Sequence, residues 1–450
     1  MKRNKNIWFV LLTFLLSLSL ITACSNTSEK TNTSEKPKTN EKTTANEKKA
    51  ETEVDETEAT LRWAYQWGQE NFDNAIGKYI KKKFPNVTIE VQEAGTDNSE
   101  SLEQLVAAGK SPDIVTMGLM THTNFMKTLG LDYNMEDLMK KEGFDLNRFD
   151  PSIIKFVRNQ DPYGKGGIYA IPTARATFSL HYNKDVFDLL GVDYPTDDMT
   201  WEEVIELAKK LTREVNGVQY RGLDLDVPYD AYTQFSQNSI DPDTDKVLIT
   251  QSEAYKRYLE MVKSFTSIPG NYPAKEPGSL LHNWGAEFGK GNVAMAPAKT
   301  HHGWLAEKNI DIVSFPSWKG LEGIDPAPNG NGHAITAPSE HKELALKILA
   351  YLFSDEVQME KSKLGEPSPL VNPEVHKVFA ENKPEFHDKN LQSLFLHKYA
   401  TGPDKKAKYG DGVLWTAPIE YVNSGKDINE FLRILQEKAE QSVKEQKESE

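Results

Sequence analysis

Hydrophobic positions change period several times along this 450-residue chain. Leu61-Arg62-Trp63-Ala64-Tyr65 reads as a strand that leaves through Trp67-Gly68. Phe72, Ile76, Tyr79, Ile80 and Phe84 then recur at near-helical spacing, which predicts a helix over 71–84. Pro85 stops it, and Val87-Thr88-Ile89-Glu90-Val91 alternates as a second strand. A helix over 102–108 closes at Gly109, and 113–117 is a short apolar run of the kind found in buried parallel strands. Strands alternating with helices predict an α/β unit with a mostly parallel sheet.

A second α/β region follows. It opens with a strand over 178–182 and a helix over 201–212, where Thr200 is the cap and Glu203 closes a capping box. Further helices are expected over 255–265, just before Phe288, and over about 341–353. Strands are expected at 293–296 and 334–337, and a polar amphipathic helix over 427–444 ends the pattern.

The amino end is patterned differently. Lys2, Arg3 and Lys5 precede an almost wholly apolar stretch over 7–21, and small residues then lead to Cys24, the single cysteine. That layout is a secretory signal. Ile21-Thr22-Ala23-Cys24 resembles a bacterial lipoprotein lipobox, which implies a signal peptide over 1–23 and a lipidated Cys24. The alternative is an ordinary signal peptide or membrane anchor with an incidental cysteine. Residues 24–59 are Ser, Thr, Asn, Glu and Lys with almost nothing to bury, so they read as a disordered tether. No later apolar run approaches the ~20 residues that span a bilayer. The body is expected to be exported and lipid-anchored on the outer face of the cell membrane.

Composition narrows the function. A formal net charge of -14 argues against a nucleic-acid partner, which requires clustered Lys and Arg. One cysteine allows no intrachain disulfide. In open α/β sheets, ligands bind beyond the carboxyl ends of strands. The residues there are Trp67, Gln69, Glu70, Arg175, Asp226, Tyr229, Tyr232, Lys299, His301, His302, Trp304, Asn331, His333 and Glu366. Aromatic faces stack on the C–H surface of a sugar, while Arg, Asn, Asp and Glu bond its hydroxyls.

Four local patterns then resemble the sugar-binding extracellular solute-binding proteins of bacterial ABC importers, the class that includes maltose-binding protein. They are Ser111-Pro112-Asp113-Ile114-Val115; Leu180-His181-Tyr182-Asn183-Lys184-Asp185 with the Thr200-Trp201-Glu202-Glu203 helix start; Phe288-Gly289-Lys290-Gly291-Asn292-Val293-Ala294-Met295; and Ile335-Thr336-Ala337-Pro338. The resemblance covers about 60–445. It implies a two-lobed periplasmic-binding-protein-like α/β fold of type II, with a hinge and an interlobe cleft. Lobe one would be 60–175 with 326–356, and lobe two 176–325 with 357–450. It also implies a carbohydrate ligand, ABC permease subunits as partners, a monomer, no cofactor, no metal and no catalytic residue.

Two departures bear on the ligand. Sugar-binding relatives often carry acidic residues where this chain has Met117-Gly118-Leu119 and Arg175. With Lys299, His301, His302 and His333, the expected cleft is basic, which points to a carboxylate-bearing ligand such as a uronic-acid oligosaccharide. The alternative is that these cations pair with Glu70, Asp226 and Glu366 around a neutral sugar. His301-His302 makes a poor metal site, because adjacent residues on an extended segment point opposite ways. Rival functions are a secreted polysaccharide hydrolase with paired carboxylates and a chemosensory solute receptor.

Overall fold

The computed structural model describes residues 54–94, 99–225, 227–281, 286–300, 302–410 and 412–448. The expected signal peptide, Cys24 and nearly all of the tether lie outside the described residues. Among the described residues, no helix is long and apolar enough to cross a membrane.

The first sheet is built as the sequence pattern requires. Ala59–Tyr65 lies between Val87–Gln92 and Ile114–Gly118, parallel to both. Asn331–Ile335 joins the far side of Ile114–Gly118 in antiparallel register, and Ile171–Pro172 closes that edge. Trp63, Ile114, Val115 and Ile335 are fully buried, packed with Leu346 and Leu349 of the helix Lys342–Leu352. Strands covered on both faces read as continuous apolar runs, which is why 114–117 looked as it did.

The second sheet departs from expectation. Phe178–Asn183 sits between Met295–Lys299 and Ile310–Ser314 and is antiparallel to both. All six residues of Phe178–Asn183 are buried. A strand buried on both faces carries the same apolar pattern whichever way its neighbours run, so its pairing direction was not readable. Helices Trp201–Leu211, Glu253–Thr266, Val413–Ser424 and Ile428–Glu448 supply the rest of this core. The Thr200–Glu203 capping box is present, each side chain bonding the other's backbone N–H.

The chain crosses from the first sheet to the second between Pro172 and Phe178, and returns between Ser314 and Asn331. On the return, Ile324–Asp325 pairs in parallel with Lys398–Tyr399. Val357, Leu370 and Ala400 belong to the first core, so the carboxyl-terminal third feeds both.

Several boundaries moved. The first helix begins at Gly68 and is interrupted by a π-helical turn, Asp73–Gly77, before resuming as Lys78–Lys83. The strand expected at 334–337 is Asn331–Ile335, and the one expected at 293–296 is Met295–Lys299. Around the helix expected before Phe288, the described residues form only the 3-10 turns Pro277–Leu280 and Phe288–Lys290. Glycines hid the early start at Asn331. Gly332 lets the strand pack closely there, since a Cβ would meet Leu119 Cδ2 at 2.4 Å and force that side chain to shift.

Candidate ligand-binding site

Two cavities hold the sequence-expected aromatics that remain accessible. The first, of about 350 Å³, lies at the carboxyl end of Ala59–Tyr65 and is lined by Tyr65, Trp67, Asn71, Asn74, Ala75 and Glu366. Its geometry starts with Gly68, whose φ of 82° turns the chain from strand to helix and leaves the preceding indole outside. Trp67 is 38% exposed, and Tyr65 braces it edge-on with ring centroids 5.0 Å apart. Asn71 Nδ2 donates to the Trp67 carbonyl at 2.7 Å. The π-helical turn then brings Asn74 and Ala75 to the same wall, a device that recurs at functional sites. Glu366 arrives from far along the chain and accepts from Lys361 Nζ at 2.6 Å. Burial, and then the nearby Glu366 charge, push the Tyr65 phenol above its usual pKa, so it is a neutral hydroxyl. Gln69 and Glu70 are exposed on the same helix, with Gln69 Nε2 donating to Asp73 at 3.2 Å.

The second cavity, of about 300 Å³, gathers Tyr229 and Tyr232, Phe156 and Gln160, and the segment Lys406 to Gly410. Pro228 opens the helix Pro228–Thr233, and Tyr229 and Tyr232, three apart, share its face. Their rings lie 5.7 Å apart, and Tyr232 is buried against Tyr255 at 4.7 Å. Trp415, near the start of Val413–Ser424, sits 5.9 Å from Tyr229 and is 39% exposed. Trp63, Trp201 and Trp318 are buried, so Trp67 and Trp415 are the exposed indoles among the described residues.

Other expected contacts are engaged inside the protein. Arg175 is 6% exposed; its Nη1 donates to Asp150 Oδ2 at 2.7 Å and its Nη2 to the His397 carbonyl at 3.1 Å. The guanidinium also lies over the Tyr399 ring at 4.7 Å. Burial would raise the Asp150 carboxyl, but Ser152 and Arg175 together hold it below its usual value. His333 belongs to the strand Asn331–Ile335 and is 4% exposed, its Nδ1 2.8 Å from Thr116 Oγ1. Trp304 packs on Phe288 and His181 at 5.0 and 5.1 Å. Asn331 lies in the same strand and offers its carbonyl to Thr173 N at 2.9 Å. Lys299 ends its strand exposed, donating to the Asn329 carbonyl at 2.7 Å. Asp226 and His301 lie outside the described residues, and His302 begins the short helix His302–Leu305.

So the structure brings Trp67 to Glu366 and gives Tyr229 a cavity, and it buries Arg175 and His333. The sequence reading expected these two cations to pair, if at all, with Glu70, Asp226 or Glu366, whereas Arg175 pairs with Asp150 and His333 meets Thr116. Asn71, Asn74, Trp415, Gln160 and Lys406 were missed. The legible signal for Trp415 and Lys406 was the turn-rich, lysine-rich run from Gly402-Pro403 to Gly410-Asp411-Gly412, with a tryptophan three residues on.

Comparison with known proteins fits this geometry. A structure of a sugar transporter from Rhizobium etli in an open conformation is 23% identical and has a TM-score of 0.68, covering 85% of this chain and 99% of its own. The sugar-binding protein MalE from Xanthomonas citri is 17% identical with a TM-score of 0.67, covering 86% and 98%. The fold is therefore the type II periplasmic-binding-protein-like α/β fold. An arabinooligosaccharide-binding protein from Halalkalibacterium halodurans is 25% identical over 319 residues, 65% of this chain. The match spans 66% of that relative, just under two thirds of its length. Residues 66–359 match the family described as bacterial extracellular solute-binding protein. On that match, the chain belongs to the bacterial extracellular solute-binding protein family.

Proposed function

We propose that this protein captures an oligosaccharide outside the cell and hands it, chemically unaltered, to the permease subunits of an ABC importer. The observation that carries the reading is the pair of exposed indoles, Trp67 and Trp415, each beside a cavity of mixed polar and apolar lining in a fold whose other described tryptophans are packed. Sugar rings present the C–H faces that accessible indoles take. Trp67, Glu366, Asn71 and Asn74 form one proposed contact set, and Tyr229 and Trp415 the other. Arg175, His333 and Trp304 hold the walls in place. The Halalkalibacterium relative makes arabino-oligosaccharides the first ligands to try.

In this reading Cys24 carries the lipid anchor and residues up to 59 lift the body from the membrane. The two sheets and their cores are taken as the lobes, bounded from the sequence at 60–175 with 326–356 and 176–325 with 357–450, although Val357, Leu370 and Ala400 pack with the first core. A ligand acts by favouring the closed arrangement of hinged lobes. Nothing in the cycle breaks a bond.

A thermal-shift screen over arabino-, gluco- and galacto-oligosaccharides tests the capture step. A true ligand stabilises by about 2.7 kcal/mol at a hundredfold excess over its Kd. Absence of any shift across the panel, or release of reducing sugar from a bound oligosaccharide, overturns the reading. Loss of uptake on deletion of the gene supports delivery to a permease, and loss of taxis with intact uptake would indicate a chemosensory receptor. Cys24→Ser should move the protein from the membrane fraction to the soluble one.

A further inference from the structure

The cavity beside Trp67 is not the basic cleft that the sequence led us to expect. Of the residues lining it among the described ones, Glu366 alone carries a charge, and the rest of its polar wall is the amides of Asn71 and Asn74 and the Tyr65 phenol. Glu366 is held by the helix Asp355–Lys363. Its N–H donates to the Lys361 carbonyl at 3.0 Å, and its Oε2 accepts from Lys361 Nζ at 2.6 Å. The Lys361 side chain is mostly buried and that of Glu366 half-exposed, so the pair is anchored in the protein and ends on the carboxylate. Among the described residues no hydrogen bond reaches Glu366 Oε1, which leaves that oxygen for a donor arriving in the cavity.

Resting on the saccharide-capture reading, we propose that the Trp67 cavity is a subsite for one neutral sugar ring, and that Glu366 is the residue that excludes a uronic-acid unit from it. An ionised carboxyl only accepts hydrogen bonds. A sugar hydroxyl at Oε1 donates to it, and the bond has charge-assisted strength. A uronate carboxyl in the same place brings a second acceptor of like charge, and a repulsive element of this kind is how a site rejects the wrong ligand. Trp67 offers its exposed indole to the C–H face of the ring, while Tyr65 braces that indole at 5.0 Å. Asn71 and Asn74 lie on the same wall and serve the remaining hydroxyls. The volume, about 350 Å³, is near the small end of the roughly 300–1,000 Å³ range for ligand pockets, which suits one ring of a longer chain. Two basic residues that the sequence offered to an acidic ligand do not line this cavity: Arg175 is committed to Asp150, and His333 is buried beside Thr116.

Titration calorimetry with arabinotriose, galactobiose and the acidic counterpart of the last, digalacturonate, tests the assignment. Galactobiose should bind at least about tenfold more tightly than digalacturonate. Glu366→Gln, which keeps the shape and gives the side chain a donor, should bring the two affinities within about threefold of each other. Equal or tighter binding of digalacturonate by the wild-type protein overturns the subsite, as does a neutral preference that survives Glu366→Gln. If arabinotriose binds and neither disaccharide does, Glu366→Ala and Trp67→Ala should each weaken arabinotriose about tenfold or more. An arabinotriose affinity that neither variant changes overturns the subsite while leaving saccharide capture standing. No binding of any saccharide removes both.

Discussion

Arg175 and Lys406 are two partly desolvated cations in different surroundings. Arg175, in the crossing between the sheets, finds Asp150 at 2.7 Å, the His397 carbonyl at 3.1 Å and the Tyr399 ring beneath it. Its charge is answered within the fold, so it ties the first core to the crossing strands. Lys406 lines a cavity with Lys408 and several tyrosines, and its Nζ lies 3.1 Å from Gln160 Oε1. Whether a cation next to a strand serves the fold depends on whether the fold brings a carboxylate within hydrogen-bond reach, as Asp150 is for Arg175. Residue type does not decide it: arginine, with the better carboxylate fork, became the strut.

The sharpest way to break that contrast is Asp150→Asn. It leaves Arg175 buried without its counter-charge and should cost about 3–5 kcal/mol, the range for stripping one partner from a buried pair. Thermal unfolding should show a fall in Tm of about 5 °C, with saccharide binding unchanged. A stable variant with altered preference would instead make Arg175 a ligand residue. Next in size, Trp415→Ala should weaken saccharide binding by about 30-fold, the scale of a hot-spot aromatic, without moving Tm by more than a degree or two. Calorimetry showing unchanged affinity would remove Trp415 from the site.

The third test uses the crossing strands themselves. Buried His397 places Nδ1 3.1 Å from Asp325 and Nε2 2.9 Å from Asp198. Burial acts to lower its pKa, but the hydrogen bonds and charges of the two carboxylates prevail and raise it. Asp325 is itself raised, by burial. The stability contributed by His397 is thus complete below about 6.5, the ordinary histidine value, and lost as pH rises through its folded value. The Asp325 shift has the same sign, since its buried carboxylate is more costly once deprotonated. Tm should therefore fall as pH increases above 6.5, and His397→Gln should flatten the decline. A wild-type Tm that rises over that interval would contradict the assignment. The smallest effect is expected at the second sheet's capping box, where Thr200→Ala should cost about 1 kcal/mol with no change in ligand affinity.

Much of the first sheet was legible because its periodicity is local. The alternation at 87–91, the apolar run at 113–117 and the Thr200–Glu203 box each follow from neighbours a few residues apart, and each formed within a residue or two of expectation. Trp67 was found by the same logic, being the residue that follows a strand and precedes a glycine. Errors gathered where long-range packing set the outcome. Asn331 and His333 were read as loop because glycines broke the pattern, yet the strand forms where its backbone pairs with Ile114–Gly118 and Ile171–Pro172. The second sheet was read as part of an α/β alternation, and the direction of its pairing has no counterpart in a strand's own residues.

The amino-acid order by itself determined many of the strands and helices, which indole follows the first strand, and the family to which the chain belongs. Those properties depend on interactions between residues close in sequence, or on patterns preserved in it. Only the tertiary structure decided that Arg175 pairs with Asp150, and that Glu366 lines the cavity beside Trp67. Electrostatic and stacking partners fall off within a few ångströms, so their identity follows from which distant segments the folded cores bring together.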